Sequence, residues 1–96
     1  MQIKKLEQVS LLGPAQDGTE YRLEIFQNPT APENERFEGW LYARRKYAGV
    51  LIGSKPLELW EFAQASGPTR APTLDDVENT IHRALDPHFG AGRVFE

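Results

Sequence analysis

The stretch TLDDVENTIHRAL, residues 73–85, decides the fold class, because it is the clearest run of helical periodicity in the chain. Leu74, Val77, Ile81, Ala84 and Leu85 recur at the spacing that places side chains on one face of a helix. Thr73 precedes them as an N-cap, its hydroxyl placed to accept a hydrogen bond from the amide of Asp76. Asp75, Asp76 and Glu78 set negative charge near the positive end of the helix dipole, and Arg83 lies near the negative end. Pro87 disfavours helical geometry in the residue before it, so the helix is expected to stop at Asp86.

What comes before this helix has β character. GPAQDG at 13–18 is dense in turn formers, and Asp17-Gly18 suits a tight reversal. Strands are expected around 5–12 and 20–26, joined as a hairpin. QNPTAPENE at 27–35 has no apolar periodicity and is expected to be an exposed connector. RFEGWLYARR at 36–45 resumes β-type composition, and Gly49 and Gly53 bracket VLI. PLELWEFAQA at 56–65 alternates as a strand does; SKPLELWEFAQASG also fits a short helix with Ser54 as N-cap and Gly67 past its end, and the strand is preferred. Strands followed by one helix predict an α+β domain: a small antiparallel sheet of about four strands with a C-terminal helix packed on one face. The tail HFGAGRVFE is expected to fold back on the domain or to add an edge strand.

The 96 residues suit one domain, 1–96, with a single small core. A chain of this size buries only about two-thirds of the surface its unfolded form exposes, so association with another chain would add stability. There are no cysteines, which fits a reducing compartment and removes thiolate chemistry. Glu7, Gln8 and Ser10 interrupt the apolar residues that follow Lys4 and Lys5, so no secretory leader is expected. No window reaches the roughly 18 apolar residues of a membrane span. A cytoplasmic protein with no membrane partner is expected. The net charge of −3 disfavours tight, sequence-independent binding to a polyanion, although Arg36 to Lys46 form a local basic run.

Side chains alternate across a strand, so each strand sorts into two sets. Tyr21, Leu23 and Ile25; Phe37, Gly39, Leu41 and Ala43; and Leu57, Leu59, Glu61 and Ala63 are mainly aliphatic and are expected under the helix. The opposite sets hold Arg22, Glu24 and Phe26; Glu38, Trp40, Tyr42 and Arg44; and Glu58, Trp60, Phe62 and Gln64. One helix cannot cover two faces. Large rings left in water form the kind of patch that marks an interaction site, and Trp, Tyr and Arg are enriched among interface hot spots. The candidate binding residues are Arg22, Phe26, Trp40, Tyr42, Arg44, Trp60 and Phe62. The competing structural reading makes Trp40 and Trp60 a second small core under a coiled sheet, the N-terminal segment, the long loop at 27–35 or the tail.

The expected function is a non-enzymatic protein-binding module whose partner is another protein or a second copy of the chain. One alternative is a single-stranded nucleic-acid platform that stacks bases on the same rings and holds phosphates with Arg44, Arg45 and Lys46. Alternation splits that basic run between faces, and Glu24, Glu38 and Glu58 sit among the rings. The other alternative is a small enzyme or ligand-binding domain without a recognisable motif. His82 and His88 lack the i, i+4 spacing of a helical metal pair, so neither metal nor cofactor is expected. Asp75 and Asp76 suit first-turn helix charges better than a carboxylate dyad. Ser10, Ser54 and Ser66 lack a nucleophile-elbow context, and GVLIGSK departs from the phosphate-loop spacing because Ser54 precedes Lys55 and Pro56 follows it.

Overall fold

A computed structural model describes residues 4–89 of the chain. Strands β1 (Lys5–Leu12), β2 (Tyr21–Gln27), β3 (Phe37–Ile52), β4 (Lys55–Phe62) and β5 (Thr69–Ala71) precede helix α1 (Leu74–Phe89), and a short 3-10 turn, Glu33–Glu35, lies between β2 and β3. The strands form one antiparallel sheet in the order β1-β2-β3-β4, with β5 also paired to β3. The fold is α+β, as the sequence predicts, but the described residues hold five strands rather than about four. The additional one, β5, has three residues between Pro68 and Pro72, too few for alternation to register. The expectation for residues 90–96 of the tail lies outside the described residues.

Strands β4 and β5 share one side of β3, because β3 is long enough to pair with both. Its 16 residues span about 50 Å at ~3.3 Å per residue, close to the 47 Å longest dimension of the molecule. Phe37 to Gly39 pair with β5, and Tyr42 to Tyr47 pair with β4. The Gln64 side chain bridges the gap between them. Its Oε1 accepts a hydrogen bond from the Leu41 amide at 3.0 Å, and its Nε2 donates to Thr69 Oγ1 at 3.0 Å. A side-chain amide thus completes the ladder where the Ala65 to Pro68 turn has left it.

The core lies between α1 and the first half of β2 and β3. Leu23, Ile25 and Val77 are fully buried, joined by Leu41, Ala43, Ile81, Leu85 and Phe89. The first two strand sets therefore lie under the helix as expected; the third does not. Leu57 is half-buried, while Leu59 and Ala63 are exposed, because β4 pairs with the far half of β3, beyond the reach of α1. Gly39 explains how closely the helix approaches. A Cβ built there would lie 2.4 Å from Val77 Cγ1, so only a residue without a side chain lets α1 settle onto β3.

Thr73 caps α1 as predicted, its Oγ1 accepting the Asp76 amide at 3.1 Å. Thr73→Ala is expected to cost about 1 kcal/mol, read as a lower urea midpoint at unchanged slope. The expected stop at Asp86 is overturned, since α1 runs on to Phe89 with Pro87 inside its last turn. A proline there removes one hydrogen bond near an end that is already losing its partners. Tertiary contacts hold the turn instead. The Phe89 ring packs 6.1 Å from Tyr21, and the His88 carbonyl accepts the Gln16 amide at 2.9 Å.

Candidate interaction face

The register of the sheet brings the seven candidate residues onto one face. Arg22 pairs with Tyr42 and Tyr42 with Phe62, Glu24 pairs with Trp40, Phe26 with Glu38, and Arg44 with Trp60. The rings touch one another across the strands. Trp40 and Phe62 lie 5.2 Å apart between centroids, and Tyr42 meets Phe62 edge-on at 6.0 Å. The Arg22 guanidinium stacks between Tyr42 and Trp60, 4.9 Å from each ring, and Arg44 lies 5.9 Å from Trp60. The Arg22 Nε is 3.3 Å from Glu24 Oε2, near enough to pair as an ion but not aligned as a hydrogen bond. A ring-and-guanidinium stack of this kind is stiff, and so less entropy is lost when a partner settles on it.

Among the described residues neither indole is sealed in a core. Trp40 and Trp60 are half-buried by their neighbours, and Phe62 remains 41% exposed. No described element packs over this face: α1 lies against β3 and β5 on the other side. Strand β1 widens the surface in a way the alternation of later strands did not reveal. A bulge between Leu6 and Gln8 shifts its phase, so Leu6, Val9 and Leu11 line up beside Phe26, Glu24 and Arg22, all three well exposed. Phe26, Trp40, Tyr42 and Lys4 enclose a hollow of about 200 Å³ in the middle of the face.

Glu38 is the organising charge of this face. Its side chain is only 3% exposed, accepts hydrogen bonds from Lys4 Nζ at 3.0 Å and Trp40 Nε1 at 3.1 Å, and lies 3.5 Å from Arg70 Nε. Burial alone would raise its carboxyl, but the hydrogen bonds from Lys4 and Trp40 and the charges of Lys4 and Arg70 outweigh it and hold the group below the ordinary carboxylate range. The sequence marks Glu38 only as an acid among rings. Its role becomes visible once β5 brings Arg70 opposite it.

Each of the three cations assigned to phosphate in the nucleic-acid alternative is paired with a glutamate. Arg44 pairs with Glu20, Lys46 with Glu58 at 3.5 Å and Arg45 with Glu61 at 3.9 Å. Arg45 is opposite Leu59, on the helix side, as alternation expects. That side holds a second hollow of about 550 Å³, walled by Leu41, Ala43, Ala63, Ile81, Leu85 and Arg45. Among the described residues no group of three or more His, Asp or Glu is arranged to hold a metal ion, and no helix is long and apolar enough to cross a membrane. No family model, curated protein or solved structure matches the chain.

Proposed function

We propose that this domain is a non-enzymatic protein-binding module whose docking surface is the ring-bearing face of the sheet. The observation that carries this reading is a broad aromatic surface that no described element covers and whose cations each lie beside a glutamate of the chain. Lys4 and Arg70 are matched by Glu38, Arg22 by Glu24, Arg44 by Glu20 and Lys46 by Glu58. With five cations beside four carboxylates the face is close to balance, so affinity comes mainly from burying rings, at about 25 cal/mol per Å² of apolar area. The indole N–H of Trp60 and the hydroxyl of Tyr42 supply polar tips for a partner's carbonyls. Phosphates would meet glutamates beside Arg44 and Lys46 and be repelled by them, which favours a protein over single-stranded nucleic acid.

Trp40 and Trp60 are the only tryptophans of the chain, and both lie on this face. Intrinsic fluorescence therefore reports on it directly. Acrylamide is expected to quench both indoles in the isolated protein and to lose access when a captured partner is added. Phe62→Ala is expected to weaken that partner by roughly thirtyfold, the effect of a hot-spot ring. Because Phe62 is 41% exposed, the far-ultraviolet circular dichroism should not change. Partner affinity and quenching that are indifferent to Phe62 would dismiss the face as the docking surface.

A further inference from the structure

The hollow in the middle of the ring face has aromatic walls and a cation of its own chain at its rim. Phe26 comes from β2, Trp40 and Tyr42 from β3, and the Lys4 Nζ lies 5.8 Å from the centroid of the Trp40 ring. A positive charge within about 6 Å of a ring face is attracted by its quadrupole. The walls therefore suit a cation, and the question is which kind. Glu38, the carboxylate that Lys4 reaches, is only 3% exposed and also accepts Trp40 Nε1 and pairs with Arg70. An unmodified lysine from outside would bring N–H donors that these rings cannot match, a cost that grows as water is excluded. A trimethylated nitrogen has no N–H to satisfy, and its methyl groups carry the charge onto the ring faces. A hollow of about 200 Å³ is the share of roughly six waters, which is room for such a group.

Given the ring face as the docking surface, the reading on which this inference rests, we propose that the hollow takes the trimethylated side chain of a lysine on the partner protein, in exchange for Lys4. Charge permits the exchange. The charged groups around the hollow are Lys4, Arg22 and Arg70 against Glu24 and Glu38, so a cation that enters as Lys4 leaves does not alter the balance. Glu24 lies opposite Trp40 and on the same side of β2 as Phe26, which keeps an acid beside the incoming group. Position permits it as well. Lys4 precedes Lys5, the first residue of β1 paired to β2, and its side chain is 37% exposed, so moving it breaks no bond of the ladder. Glu38 keeps Trp40 and Arg70 when Lys4 withdraws.

Nα-acetyl-trimethyllysine amide titrated into the full chain is expected to shift the indole N–H resonance of Trp40 saturably, at concentrations on the order of 1 mM. The unmethylated lysine amide, and the neutral isostere with carbon in place of the charged nitrogen, should each bind about tenfold more weakly. Lys4→Ala removes the competitor and should tighten the trimethylated probe severalfold. Phe26→Leu keeps apolar bulk without a ring and should weaken it about fivefold. If Phe26→Leu does not fold, Tyr42→Leu makes the same test. An absent shift, a neutral isostere that binds equally, or weaker binding by Lys4→Ala would overturn the proposal. Choline that binds more tightly than the lysine probe would overturn the lysine side chain as the occupant. A captured partner weakened by Phe62→Ala but not by Phe26→Leu would remove the methylated lysine and leave the docking face standing, whereas indifference to both changes would remove both.

Discussion

Gly39→Ala is expected to destabilise the fold by about 3 kcal/mol, the upper end of what one inserted methyl costs in a packed core. The new Cβ would sit 2.4 Å from Val77 Cγ1 and 3.5 Å from Leu23 Cδ1, inside contact distance for the first. Val77 has no room to turn aside: it is fully buried, and a β-branched side chain on a helix has essentially one rotamer. The alternative is for α1 to lift from β3, which loosens Ile81 and Leu85 together. A domain of this size has only about 5–10 kcal/mol in hand, so the loss would be plain in chemical unfolding. The specific check is a double-mutant cycle. Val77→Ala alone opens a cavity, but combined with Gly39→Ala it vacates the space the methyl needs. The pair is expected to be less destabilised than the sum of the singles by about 1–2 kcal/mol. Strict additivity would mean that the helix does not rest on Gly39.

The same contact shows what the sequence could and could not disclose. Helical spacing from Leu74 to Leu85 and alternation in β2 and β3 depend on neighbours within a few residues, and the structure follows them. The face shared by Arg22, Phe26, Trp40, Tyr42, Trp60 and Phe62 was legible for the same reason. Features set by non-local pairing were not. The length of β3 depends on β4 folding back along it, so the strand runs past Gly49 to Ile52 although glycine is a poor strand former. The β4 set of Leu57, Leu59 and Ala63 looks like core by composition, yet it lies beyond the end of α1. The bulge that turns Val9 and Leu11 onto the ring face leaves no mark in the alternation, because one extra residue reverses the facing of all that follow. Pro87 signals a helix end correctly in isolation. The packing of Phe89 against Tyr21 outweighs that local preference.

Glu38→Ala is expected to cost about 2 kcal/mol at neutral pH, since it strips the partner from the half-buried Trp40 N–H and leaves Lys4 and Arg70 without their shared anion. The loss stays below that of a sealed ion pair because Lys4 and Arg70 are partly exposed and regain water. Protonation should reproduce part of this effect in the wild-type protein. The folded carboxyl titrates below its ordinary value of 4.5, so the stabilisation is fully present above that pH and is lost as the pH falls through the folded pKa. His82 acts in the same direction one step higher. Burial lowers its folded pKa against the opposing pull of Glu78 and Asp86, so it favours the folded state above about pH 6.5 and loses that contribution below. Unfolding free energies measured from pH 7 to 3 should therefore decline in two stages. Glu38→Gln should shrink only the lower one, because its amide cannot titrate and its oxygen still accepts from Trp40, while the part owed to Asp17, held below its ordinary value by hydrogen bonds from Thr19, remains. The same variant separates two jobs of this residue. If Glu38 also fixes the indole for docking, Glu38→Gln should preserve acrylamide access to Trp40 and partner affinity, whereas Glu38→Ala should lower affinity even where the domain remains folded. Equal affinities for the two variants would confine Glu38 to stability.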